Sequence, residues 1–344
     1  MNVMGLTLAT PLGLTAAATQ RACAAGISRA ALLEDHPHRP TAVRLTSLPD
    51  LFNREDRMRA LLWRNLAPLA ALLPALGDAR VPCLLALPEA DSTFVLRRWL
   101  TGVRGGPKLA GLEISCFEAG RIGFFRCLAA AREVLAETRV PKWVVVGAVD
   151  SLVDPATLEA LAADGRLLGD RNPDGIIPGE AAGFVVLANT AAVARARTLV
   201  LARIAALAEA REPLPAWERG PYTGQALTEV FRALRHHAAL RGRRADRVLT
   251  CQPGETFWAH EFAAAYLRNA EMMPEPLDHC GLDGSLGEVG SAAGICQLAL
   301  ALHAFAPSPW LRRAPLRRVV LHGASEAGAY AGCLLVHPEV DIHE

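Results

Sequence analysis

Two stretches of this 344-residue sequence join reactive residue types to the glycine spacing that opens helices: ISCFEAGRIG (114–123) and EVGSAAG (288–294). A helix start presents unpaired N–H groups and the positive end of the helix dipole. It therefore favours a thiolate, an oxyanion or a carboxylate. Cys116 has two readings: a nucleophile whose thiolate is stabilised by the helix start, or a small buried thiol, the common condition of free cysteine. Glu118 and Glu288 each stand where a carboxylate caps a helix. Arg121 lies at the wrong end of the dipole for a cation, which calls for a nearby carboxylate or bound anion, and Glu288 is the candidate partner. Cys251, in the turn Cys251-Gln252-Pro253-Gly254-Glu255, is a second thiol that could be reactive or buried.

Other clusters carry less chemistry. Ser325 in VVLHGASEAG (319–328) resembles the nucleophile elbow of a hydrolase, but an elbow must open a helix. Here the strand-like AGCLLV follows within a few residues, leaving no room for the acid and histidine. The stretch Asp170-Arg171-Asn172-Pro173-Asp174-Gly175 lacks the later bidentate glutamate of a calcium loop and reads as a turn. His236-His237 reads as helix surface. Glu180 in PGEAAG reads as structural, joining two halves of the molecule through backbone hydrogen bonds. No G-x-G-x-x-G follows a strand and there is no P-loop, so nucleotide binding is unsupported. No cofactor and no metal site is expected.

The elements that must position these residues alternate along the chain. Strands are expected at 3–10, 81–87, 114–116, 143–147, 184–188, 199–208, 248–251, 319–322 and 332–337, and helices at 15–25, 57–76, 121–137, 222–240, 257–268 and 291–305. Residues 35–56 and 102–111 read as irregular connections. The two halves echo each other. EAGRIG opens a helix, followed by WVVVG and AAGFVVL (181–187); EVGSAAG opens a helix, followed by VVLHG and YAGCLLV (330–336). One unit of roughly 150 residues is used twice, dividing the chain into 1–195 and 196–344. The two helices are rich in Ala and Gly, as close packing between layers requires.

Composition narrows the class. Hydrophobic residues make up 51% and mean hydropathy is +0.21, enough for a large core. The formal net charge of +1 argues against nucleic acid as partner. The basic patches at 241–244 and 312–318 read as solvated faces. The eight cysteines form no C-x-x-C, which suits a reducing compartment. No secretory signal is seen, and the run 291–306 is too short and too polar to span a membrane. The expected location is the cytoplasm.

The segment 146–187, VGAVDSLVDPATLEALAADGRLLGDRNPDGIIPGEAAGFVVL, resembles the β-ketoacyl synthase branch of the thiolase-like superfamily. There a glycine-ended strand, a helix and an Arg/Asp-Gly turn lead to GEGAG and a strand. Here that motif is Gly179-Glu180-Ala181-Ala182-Gly183. VMGLTLATPLGL (3–14), LARIAALAEA (201–210) and GEVGSAAGICQLALAL (287–302) resemble, in turn, the family's first strand, its first strand after the midpoint and its GHxxGAAG helix start. The resemblance implies an α/β thiolase-like fold of two pseudo-symmetric halves in five layers, α-β-α-β-α, with the Ala-rich helices in the middle. It also implies a dimer paired along a strand of the first half, expected at 82–89.

The family's site is a cysteine that takes the acyl group and two histidines that help decarboxylate the extender and hold the developing charge. Carried over by motif, the nucleophile position falls on Glu118, with Gly120 or Arg121 as alternatives. The first histidine falls on Cys251, the second on Glu288, and a lysine five residues upstream on Asp283. All depart from the family pattern, and an ionised Glu288 would repel an enolate. The resemblance thus implies a ketosynthase-like protein without condensing activity, acting as a binding or scaffolding partner. It would be either a chain-length-factor-like subunit, homodimeric or paired with a ketosynthase-like chain, or a thiolase-like accessory of type VI secretion. An acyl carrier protein or a secretion effector or adaptor would be the further partner. The alternative is an active acyltransferase using a displaced Cys116 or Cys251.

Overall fold

The computed structural model describes all residues except 35, 38, 51, 74–79, 90–99, 101–110, 138, 170–171, 197, 215, 219–222, 307–314 and 342–344. The first half contributes strands β1 (Asn2–Ala9), β2 (Val81–Leu87), β3 (Leu112–Glu118), β4 (Trp143–Ser151) and β5 (Glu180–Ala188). The second contributes β6 (Ala202–Arg211), β7 (Arg247–Thr250), β8 (His279–Cys280), β9 (Arg318–Ala324) and β10 (Ala329–Val336). The sequence echo is realised as topology. The first half runs β3-β2-β4-β5-β1 and the second β8-β7-β9-β10-β6, the same order of first to fifth strands. In each half the second, third and fourth strands are parallel and the fifth is antiparallel to both of its neighbours. The halves join where Asn2 and Val3 of β1 pair with Arg203 and Ala202 of β6.

The layers follow from burial. β4, β5, β9 and β10 are apolar on both faces, and each is buried along all or nearly all its length, as strands covered on both sides must be. Two central helices, α3 (Gly123–Leu135) and α7 (Ala293–Phe305), touch strands of both halves and each other. Their small residues allow this: a Cβ on Gly294 would lie 2.5 Å from the Phe124 ring. Outside the first sheet lies α2 (Arg54–Leu72), against β1, β4 and β5. Outside the second, α5 (Gln225–Arg235) packs on β6 and β10, with α6 (Thr256–Arg268) beside it. Two shorter helices complete the set used below: α1 (Ala16–Ala24), which touches β1 and α7, and α4 (Pro155–Ala163), which follows β4. The result is the five-layer thiolase-like arrangement. No helix among the described residues is long and apolar enough to cross a membrane.

Three expectations change. Among the described residues the free edge of the first half is β3, while the 82–89 segment is mostly β2, paired on both sides. The burial patterns give the reason: β2 is apolar and almost wholly buried, whereas β3 alternates buried or half-buried with exposed positions at Glu113 and Ser115. Glu180 is structural, but it works within the first half. It receives Arg57 Nε and Nη2, both at 2.8 Å, the Leu45 N–H at 2.6 Å and the Ser151 hydroxyl at 2.9 Å. Third, the helix expected from 222 to 240 is shorter, ending at Arg235 before a run of turns.

Of the 170–175 turn, residues 170–171 lie outside the described residues. Asp174 accepts the N–H and hydroxyl of Thr256, holding the turn against the start of α6. Arg241, Arg243 and Arg244 are exposed as expected; the 312–313 pair lies outside the described residues, as does nearly all of the 102–111 loop.

Candidate functional site

The two central helices begin alike. Each follows a short 3-10 turn, Gly120–Ile122 before α3 and Gly290–Ala292 before α7. The turn glycines have φ of +51° and +52°, a left-handed conformation that a Cβ resists. Both turns open onto one cleft of about 280 Å³, where Gly120, Arg121, Glu288, Gly290 and Ser325 meet Arg54, Asp150, Arg166 and Glu326.

The start of α7 is closed by the chain's own carboxylates. Asp150, at the end of β4, accepts the Ser291 N–H at 2.9 Å on Oδ2 and is clasped on Oδ1 by Arg54 Nε and Nη2 at 3.1 and 2.8 Å. Glu288 turns back to accept the Gly290 N–H at 2.8 Å. A Cβ on Gly290 would lie 2.0 Å from Asp150 Oδ2, whereas one on Gly120 would meet only the flexible Glu89 side chain, at 3.2 Å. Gly290→Ala will therefore destabilise the protein more than Gly120→Ala. Both carry a left-handed penalty of about 1–2 kcal/mol, but only Gly290→Ala also displaces Asp150 from the helix start. Comparing their urea midpoints checks this; equal losses would contradict it.

Arg121 crosses the cleft from the α3 turn. Its Nε donates to Ala324 O at 2.8 Å, both terminal nitrogens reach Glu326 Oε1 at 3.5 Å, and Nη1 lies 3.9 Å from Glu288 Oε1. Its guanidinium also sits over the Trp258 ring, 5.1 Å from the centroid, a cation–π contact. Arg166 continues the chain of charges, donating to Glu326 Oε1 at 2.7 Å and to both oxygens of Glu255 at 2.9 and 2.8 Å. The Arg121–Glu326–Arg166–Glu255 series thus ties first-half loops to second-half loops. Burial pushes the Glu288 carboxyl up to about 7, against the pull of Arg121 and the Gly290 N–H and with the push of Asp150 and Glu326. Burial would raise Glu326 too, but Arg121 and Arg166 outweigh it and hold this carboxyl below its usual range.

The residues singled out from sequence divide. Gly120, Arg121 and Glu288 line the cleft. Cys251 lies directly behind it, its Sγ 3.8 Å from Arg121 O, and burial together with Glu288 pushes its thiol far above the ordinary range. Cys116 and Glu118 do not line the cleft: Cys116 packs on the opposite side of the first sheet with the apolar cluster under α2, and Glu118 ends β3 half-buried. Asp283 also lies off the cleft, its carboxylate beside Gly281 and Gly254. Ser325 sits in the turn between β9 and β10, and no helix follows it. His322 faces the outer layer, stacked on Phe262 and edge-on to Phe231, and burial holds it well below its usual pKa, hence neutral.

Sequence reasoning missed Asp150, Arg166 and Glu326. Asp150 carried a signal, a carboxylate at the end of a buried strand, where α/β sheets place their sites. Glu326 adjoins the serine already singled out. Arg166 carried none, because its partners are 89 and 160 residues away.

The chain has the ketosynthase fold. It superposes on the ketosynthase from module 6 of the bacillaene synthase from Bacillus subtilis 168 with TM-score 0.76 and 13% identity, covering 98% of this chain and 72% of that one. The ketosynthase of the AntDE:AntF complex, a type II polyketide synthase acyl-carrier protein with its ketosynthase bound to the hexaketide, gives 0.76 and 15%, covering 98% and 99%. The ishigamide ketosynthase/chain length factor gives 0.68 and 15%, with 98% and 99%. No family model matches, and no curated protein is similar in sequence.

Proposed function

We propose that the protein is a ketosynthase-like subunit that has exchanged condensation for binding, working as the silent half of a pair with a ketosynthase-like chain. The observation that carries this reading is the content of the cleft. At the start of α3 the residue facing the cleft is Gly120, which offers no nucleophile, and the space beside it is crossed by Arg121 and its ion pairs. Cys251 is buried, and its raised pKa keeps it a thiol, so it is a poor acyl acceptor. Glu288, whose carboxyl is held up at about 7, could donate to a developing enolate only in its protonated fraction, and once ionised it would repel that charge. The free edge of β3 supports pairing with another chain, since an open strand edge exposes unpaired N–H and C=O groups. The likeness to a ketosynthase/chain length factor supports the same reading.

The test is incubation with acyl-carrier-protein thioesters followed by intact-mass measurement. The expected mass is that of the unmodified chain. An acyl adduct that disappears in Cys116→Ala or Cys251→Ala would overturn the reading and favour the acyltransferase alternative.

A further inference from the structure

One histidine of the second half is buried without the bonds that a histidine normally makes. His322, in β9, is 0% exposed, and among the described residues neither of its ring nitrogens has a hydrogen-bond partner. Aromatic side chains enclose the ring instead. Phe262 of α6 stacks on it at 5.7 Å between ring centres, Phe231 of α5 meets it edge-on at 5.2 Å, and His279 of β8 stacks at 6.4 Å. Phe262 also stacks on His279 at 3.9 Å. Such a setting tolerates a neutral imidazole at the cost of its unmade bonds. It offers nothing to an imidazolium, which carries two N–H donors and a charge that needs a partner or water.

The groups around the ring do not answer that charge. From β8, His279 faces it and in acid adds a second positive charge, with Asp283 and Asp278 acting on His279. From α5 and α6 the facing side chains are Phe231 and Phe262. Glu261 of α6 is committed elsewhere, to the Gly224 N–H and the Tyr330 hydroxyl. On β7, Thr250 pairs with His322 in register and donates its hydroxyl to Gln252, and β10 sets Gly332 opposite. Burial, and after it His279, holds the ring well below its ordinary value of 6.5. The backbone of the same residue is tied to the cleft. Its carbonyl accepts the Cys251 N–H at 3.0 Å and Gln297 Nε2 at 2.9 Å. Two residues on, Ala324 O holds Arg121 Nε at 2.8 Å.

We propose that His322 is an acid-sensitive latch: neutral, it keeps α5 and α6 on the second sheet, and protonated, it releases them and slackens the end of β9 that holds Arg121. The closed layer does not accept the proton, whereas the opened one does. Closure is therefore at full strength above pH 6.5, the ordinary histidine value. Below it, closure weakens by about tenfold in the closed-to-open ratio per pH unit. The latch is independent of what the cleft binds and of whether the protein condenses acyl groups.

The test is hydrogen exchange read by mass spectrometry on the intact protein at pH 7.5 and 5.0, with protection corrected for the intrinsic exchange rate. Peptides from α5 and α6 are compared with peptides from α2, which lies on the other sheet. The expected result is a fall in protection of about thirtyfold in α5 and α6 between the two pH values, and at least about tenfold beyond any fall in α2. His322→Phe, which keeps a ring and cannot be protonated, should abolish that excess. His322→Leu should do the same and serves where the larger ring does not fit; far-UV circular dichroism at pH 7.5 establishes which variants are folded. His279→Phe should retain the excess. An equal fall in both layers, no fall, or an excess that persists in a folded His322 variant overturns the proposal. So does an excess lost in His279→Phe, because the proton would then be sensed at the sheet edge and not in the buried cage.

Discussion

Glu180→Ala will cost the fold about 3–5 kcal/mol, the usual penalty for breaking a buried ion pair by removing one partner. Arg57 and Glu180 are 1% and 0% exposed, and two parallel bonds of 2.8 Å join them. The carboxylate also holds the Leu45 N–H and the Ser151 hydroxyl. Its loss strands a guanidinium in an apolar layer with, among the described residues, only Pro49 O as acceptor, and leaves a buried N–H unpaired. The pair fastens α2 to β5, so its loss loosens the whole outer layer of the first half. Urea unfolding measures the effect. The double substitution Arg57→Met with Glu180→Leu should recover much of the loss, because it removes both charges together. A loss under about 1 kcal/mol for Glu180→Ala would show that the pair is not what anchors α2.

Glu288→Gln will stabilise the protein at neutral and alkaline pH and leave it nearly unchanged in acid. The folded carboxyl has a pKa of about 7 against an ordinary value of 4.5, so the folded state keeps its proton to higher pH than the unfolded chain does. A raised pKa means that stability is fully present below 4.5 and is lost as pH rises from 4.5 through 7. The shift corresponds to about 3 kcal/mol once both states are ionised. Glutamine cannot ionise and so escapes this loss, while its side-chain oxygen can still accept the Gly290 N–H. The groups facing Glu288 are Arg121, Asp150, Glu326 and the Cys251 thiol. The variant-minus-wild-type difference isolates Glu288 from other titrations. Unfolding free energies from pH 4.5 to 8 should show that difference growing from near zero to about 3 kcal/mol. A difference independent of pH would refute the assignment.

Part of this site could be read along the chain. Arg121 at the cationic-unfavourable end of a helix demanded a carboxylate, and Glu288 proved to be near it at 3.9 Å. Glycine spacing located both helix starts, because a left-handed turn leaves a residue-level mark. Cys116 falls outside the cleft because a strand alternates its faces: a strand position four residues before Gly120 points wherever the pleat sends it. Here it points under α2. The edge strand misled for a related reason. The apolar run at 82–89 marks a strand that is covered and paired, and the more polar β3 is the one that tolerates an open side.

In the sequence by itself, local periodicity, which acts over ten residues or so, marked most strands and helices and the echo between the two halves, and the resemblance implied the five-layer class. Only the tertiary structure decided that Arg121, Glu326, Arg166 and Glu255 form one series of charges and that Asp150 stoppers α7. Charges interact through space at a few ångströms with no regard for sequence separation, so their sum at a point exists only once the chain has folded.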